Sequence, residues 1–133
     1  MTDHTHINSE HLPVKWTTTD AVVPILKDTS KVAGRDYRIV DARTPEEFSS
    51  GHVPGAVNLV EQDLVKDAAP AVEAQKDVPL LIFYCGKSQG RGPRAAHAYQ
   101  QALEAAGKKE GQEVLVLKGG IVGWKEAGLD LSA

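Results

Sequence analysis

Leu80 to Tyr84 reads LLIFY, an unbroken apolar run of strand length. Successive side chains of a strand point to opposite faces, so a strand without a polar face needs cover on both sides. A parallel sheet sandwiched between helices supplies that cover, and no other stretch constrains the fold as much. Arg38 to Asp41 reads as a second buried strand with a polar end, and Ala56 to Leu59 and Val114 to Leu117 as shorter ones. Helix signals lie between them. Thr17, Thr18, Thr19 and Asp20 precede Ala21 to Leu26, with Pro24 placed late enough to predict a short or kinked helix. Pro45, Glu46 and Glu47 form an acidic first turn, and residues 61–77 favour helix up to a break at Pro70. Ala95, Tyr99, Ala102, Leu103 and Ala106 recur at helical spacing before Gly107, and Ile121 to Ala127 form a last helix before Gly128. Strands alternating with helices predict an α/β fold, a parallel sheet with helices on both faces.

With 133 residues the chain can bury a core as one domain, expected over 16–133 after a polar leader over 1–15. The leader lacks the apolar centre of a signal peptide, and no apolar run reaches membrane-spanning length. His4, His6 and His11 fall in it without cysteine partners, so a solvated tail is expected there and no metal site. A net charge of -3 gives no reason to expect nucleic acid or a membrane as partner. The single cysteine excludes an internal disulfide and fits a reducing compartment, so the expected location is cytoplasmic or nuclear.

That cysteine, Cys85, follows the apolar run directly and opens the stretch CGKSQGRGPR. A strand that feeds a glycine-rich loop and then a helix is a recurrent anion site, because glycines let backbone N–H groups turn inward. Gly86, Gly90 and Gly92 supply that freedom, and Pro93 suits the first turn of the following helix. No acidic residue stands between Asp77 and Glu104, whereas Lys87, Arg91 and Arg94 are basic. Loop amides, the helix terminus and Arg91 would all favour a thiolate, a nucleophile aimed at whatever the loop holds. Arg91 can clamp two oxygens of a tetrahedral oxyanion at once. The bland alternative is a small core residue, the ordinary role of a cysteine after an apolar strand. The glycines and the arginine favour a reactive Cys85, with Gly86, Lys87, Ser88, Gln89, Gly90 and Arg91 as the anion-binding residues.

Two further stretches carry a resemblance. Asp41 to Phe48 (DARTPEEF) with Gly51 to Ala56 (GHVPGA) resembles the amino-terminal signature of rhodanese domains. Val116 to Gly120 (VLKGG), with Gly123-Trp124 and Ala127-Gly128, resembles their carboxyl-terminal signature, and Cys85 occupies the position of their active-site cysteine. The resemblance spans roughly residues 16 to 131. It implies a rhodanese-like, five-stranded parallel sheet flanked by helices on both faces. It also implies a supporting role, ionic or hydrogen-bonded, for Asp41 and Arg43. Five residues separate Cys85 from Arg91. That spacing is one longer than sulfurtransferases of the fold use. It resembles the branch of cell-cycle dual-specificity phosphatases and eukaryotic arsenate reductases, whose pattern Arg91-Gly92-Pro93 continues. Ser88, within such a loop, is expected to bond to the thiolate or help it leave.

The loop departs from the cell-cycle phosphatases at Tyr84, where they place histidine, and at Gly86 and Gly90, where they carry glutamates. It therefore holds no acid to protonate a leaving alkoxide. Arsenate, with an external thiol such as glutathione as co-substrate, and activated aryl phosphates are the substrates that tolerate this loss. The leading expectation is a cysteine-dependent enzyme for a small oxyanion or phosphorylated substrate, without a resident cofactor or metal. A sulfurtransferase carrying a persulfide on Cys85 and a non-catalytic anion-binding module are the alternatives.

Overall fold

The computed structural model describes residues 12–108 and 111–133. The histidines of the amino-terminal leader, and Lys109 and Glu110, lie outside the described residues. Strand β4 (Leu80–Tyr84) matches the apolar run and stands at the middle of a five-stranded sheet. Strands β2 (Arg38–Asp41) and β5 (Glu113–Leu117) pair with it on either side, β3 (Val57–Asn58) extends the sheet beyond β2, and β1 (Lys15–Thr17) beyond β5. Every pairing is parallel.

The alternation within the apolar run explains its composition. Leu81 and Phe83 face one layer, with Val40, Val114 and Val116, and meet Ala95, Ala96, Tyr99 and Leu103 of α5 (Arg91–Ala105). Helices α3 (Glu61–Lys66) and α4 (Ala69–Ala74) complete that layer through Leu64 and Val72. Ile82 and Tyr84 face the other layer, with Ile39 and Leu117, against Val22 of α1 (Thr19–Lys27) and Ile121 and Trp124 of α6 (Gly120–Glu126). Both faces of β4 are therefore fully buried, at about 1.5–3 kcal/mol per large apolar side chain.

Three differences from the sequence reading have local causes. Strand β1 escaped it because three half-exposed residues on a sheet edge carry almost no periodic signal. The stretch over 61–77 breaks at Asp67 and Ala68, and Pro70 lies in the first turn of α4, where its missing N–H costs no helical bond. The strand expected over Ala56 to Leu59 shrinks to β3, two residues long. Pro24 sits inside α1, which is nine residues long and capped by the Thr18 side chain.

Candidate active site

Because the strands run parallel, the carboxyl ends of β2, β4 and β5 share one edge, the usual ligand side of an open α/β sheet. That edge gathers the loop over 85–90, the Asp41–Arg43 turn leading to α2 (Pro45–Ser49), and the Gly119-Gly120 turn into α6.

The loop is shaped from behind by α6. Ile121 N–H donates to the Cys85 carbonyl and Val122 N–H to the Gly86 carbonyl, both at 3.0 Å. In a trans peptide the C=O and N–H point opposite ways, so holding these carbonyls turns the Gly86 and Lys87 amides away from α6. The approach requires glycine at 120. Its φ is +57°, and a β-carbon there would collide with the Cys85 and Gly86 carbonyl oxygens. Gly92 serves the other side, since a β-carbon would lie 3.2 Å from Cys85 N and 3.4 Å from Sγ. The first turn of α5 thereby closes on the cysteine, and Gly90 at its N-cap brings no capping side chain. Ser88 has a φ of +56°, strain of about 1–3 kcal/mol for a non-glycine residue. Its buried hydroxyl accepts from Cys85 N–H at 3.3 Å, a brace across the loop.

Cys85 is buried at the base of an open depression of about 390 Å³. Gly86, Lys87, Gln89, Gly90, Arg91 and Arg94 line it with Cys85, so its ionisable side chains apart from the thiol are all basic. Arg94 is paired with Glu61 at 3.1 Å. Arg91, the first residue of α5, donates from Nη1 to Glu47 Oε1 at 2.7 Å and from Nη2 to Oε2 at 3.3 Å. These bonds hold the Glu47 carboxyl down at about 2, against the opposing effect of burial and with help from Thr44. They also raise Arg91 above the usual arginine value. Glu47 is moreover the capping-box residue of α2: Thr44 N–H and Oγ1–H both donate to its Oε1, at 3.1 and 3.0 Å. Sequence reasoning placed Glu47 only in the first turn of a helix. Its ion pair with Arg91 spans 44 residues of chain, and no local pattern encodes it.

Asp41 and Arg43 come together one layer below. Asp41 Oδ1 accepts from Arg43 N and Nε, at 2.9 and 3.0 Å, and Oδ2 accepts from Nη2 at 2.7 Å. Tyr84 O–H donates to the same Oδ2 at 2.7 Å and accepts from Val53 N–H at 3.1 Å. Burial pulls the Arg43 guanidinium down, but the bonds to Asp41 outweigh it and the net shift is upward. Burial first, then the Asp41 charge, pushes the Tyr84 phenol far up. Tyr84 immediately precedes Cys85, so this cluster fixes the backbone from which the loop departs, while neither Asp41 nor Arg43 lines the depression. His52 bonds through Nδ1 with the Phe48 carbonyl at 2.9 Å and stacks on the Phe48 ring, holding the 51–55 turn. Among the described residues no group of three or more His, Cys, Asp or Glu side chains is placed to hold a metal ion, and no helix is long and apolar enough to cross a membrane.

Comparison with known proteins adds four likenesses to this geometry. The rhodanese-like domain profile matches residues 26–127. M-phase inducer phosphatase 1 of Rattus norvegicus is 32% identical over 123 residues, covering 86% of this chain and 23% of that protein. The chain thus spans less than a quarter of the phosphatase's length. Among solved structures, an As–Sb reductase from Leishmania major superposes with a TM-score of 0.67 at 20% identity, over 86% of this chain and 79% of that one. A thiosulfate sulfurtransferase from Pseudomonas aeruginosa gives 0.64 at 25% identity, over 90% of this chain and 20% of that one.

Proposed function

The chain belongs to the rhodanese-like family, and from that premise we propose that it is a cysteine-thiolate enzyme acting on a tetrahedral oxyanion. The observation that carries this reading is the loop itself. Five residues separate Cys85 from Arg91, and α6 holds the first two carbonyls, so the Gly86 and Lys87 amides turn away from α6 while Arg91 lines the depression with Cys85. The relationship to the inducer phosphatases and the fold shared with the reductase support the same chemistry.

On a phosphate ester, the Cys85 thiolate attacks phosphorus and the P–O bond to the leaving group breaks, its electron pair leaving with oxygen. Water then cleaves the S–P bond, releasing phosphate and regenerating the thiolate. Arg91 and the loop amides stabilise charge on the transferring group. On the dihydrogen arsenate anion, the thiolate displaces from As(V) an As–OH oxygen, which leaves as water with the anion's other proton. Attack on Cys85 Sγ by an external thiol such as glutathione then breaks the S–As bond. The bonding pair stays on arsenic, giving As(III) and a mixed disulfide that a second thiol reduces. No acidic side chain lines the depression, and Glu47, held ionised by Arg91, has no proton to give near neutral pH. The substrates favoured are therefore those that need no general acid: arsenate, and aryl phosphates with a stable leaving phenolate.

The same lack of an acid favours a second reading, sulfur transfer. There the thiolate attacks the outer sulfur of thiosulfate, sulfite leaves with the S–S bonding pair, and the resulting persulfide passes its sulfur to cyanide or a thiol. Parallel assays with p-nitrophenyl phosphate, arsenate plus glutathione, and thiosulfate plus cyanide, on wild type and Cys85→Ser, separate the two. Cysteine-dependent turnover of either oxyanion is expected. Turnover of thiosulfate alone would falsify the oxyanion reading. Phosphate protection of Cys85 from alkylation without any turnover would leave a non-catalytic anion-binding module.

A further inference from the structure

We infer that Glu47 is a positioning residue for Arg91, a carboxylate that fixes the guanidinium over the cradle so that its remaining donors meet the anion. The inference rests on the oxyanion reading of the same site and deepens it.

Glu47 takes one edge of the guanidinium, Nη1 and Nη2, and leaves Nε and the outer Nη2 proton as the complementary pair of donors. Nη2, the nitrogen common to the two edges, lies at the cradle: a β-carbon on Gly86 would be 3.6 Å from it, and Arg91 lines the depression while Glu47 does not. The carboxylate thus stands outside the anion's position and does not occupy it. It is also immobilised. Its Oε1 accepts from Thr44 N–H and Oγ1–H as well as from Arg91, and the Glu47 amide donates back to Thr44 Oγ1 at 3.3 Å. A carboxylate held by its own helix cap is a fixed support, unlike a mobile group that an incoming anion would push aside. An arginine on α5 with a flexible stem gains its fixed geometry from α2, an element with no other part in the loop.

Glu47→Gln tests this cleanly, because glutamine also serves in a capping box and preserves the helix end while deleting the charge on Arg91. The probe is the ratio of Cys85 alkylation rates with iodoacetate and iodoacetamide at one pH. In that ratio thiol reactivity and access cancel, and recognition of a carboxylate remains. Wild type should prefer iodoacetate, and Arg91→Ala should bring the ratio to its floor. Glu47→Gln should lower it by about three- to tenfold, because the arginine loses its aim. Deleting a nearby negative charge would by Coulomb's law alone raise the ratio. A rise would overturn the inference and identify Glu47 as a competitor of the anion, and an unchanged ratio would overturn it in favour of a helix cap alone. A wild-type ratio no higher than that of free cysteine would overturn the oxyanion reading together with the inference. If no substrate is turned over but the ratio falls in Glu47→Gln, the inference stands and only the catalytic reading fails.

Discussion

Two arginine–carboxylate pairs of equal length, 2.7 Å at their shortest contact, sit at different depths of the same sheet edge. In the lower one the side chains of Arg43 and Asp41 are 9% and 0% exposed, and Asp41 receives five bonds from Arg43 and Tyr84 through its two oxygens. In the upper one Arg91 and Glu47 are 35% and 39% exposed, and the arginine faces an open depression beside Cys85. The chemistry of the pairs is the same, and burial divides their roles. The lower arginine also donates from Nη2 to the Gly51 carbonyl and does not line the depression, whereas the upper one lines it and is held by Glu47 along one edge. A buried pair is costly to break and contributes order; an exposed pair contributes little stability and leaves its arginine available.

Breaking each pair from its arginine side should show the division most strongly. Arg91→Ala should lower kcat/KM for the cysteine-dependent reaction by about a thousandfold, roughly 4 kcal/mol of transition-state stabilisation, with the urea midpoint almost unmoved. Arg43→Met should do the reverse in equilibrium unfolding, losing about 3–5 kcal/mol because Asp41 is left buried and uncompensated. Adding Asp41→Asn should recover part of that loss. Tyr84→Phe cuts a single bond of the lower cluster and orphans the Val53 amide, so a loss of about 1–2 kcal/mol in the same melts is expected.

The smallest effect is a pH dependence of the upper pair. The folded Glu47 carboxyl lies at about 2, below its ordinary 4.5. The stability it contributes is therefore present above pH 4.5 and lost as the pH falls through about 2. Half-exposed as the pair is, solvent screening keeps that contribution under about 1 kcal/mol. The difference in melting midpoint between wild type and Glu47→Gln should accordingly narrow between pH 7 and pH 3. A gap that stays constant would show that the cap, and not the charge, is what the substitution removes.

The same division governs what the sequence discloses. The layer architecture was readable because β4 presents apolar residues to both faces and α5 keeps helical spacing. The loop was readable because its glycines, cysteine and arginine are contiguous. Asp41 and Arg43 lie two residues apart, and the signature around them pointed to a supporting ionic role, which the buried pair now gives a geometry. Glu47 was legible only as one of two acids at a helix start. Which of Glu46 and Glu47 reaches Arg91 depends on the angle at which α2 leaves β2, and that angle is set by packing. The pairing of Ile121 and Val122 with the loop carbonyls is long-range in the same way, although Gly119-Gly120 marked the place.

Those carbonyl bonds make the loop a shared construction of two segments, the loop itself and the start of α6. Cys85 to Arg91, transplanted alone onto the strand–helix junction of another protein, would bring its thiol and arginine but not the α6 amides that orient the loop. Two peptide dipoles would then be free to turn their oxygens into the depression, reversing the charge that the backbone presents beside Cys85. The smallest portable unit is the loop together with Gly120 to Val122, and a graft that includes Glu47 would carry the aim of the arginine as well.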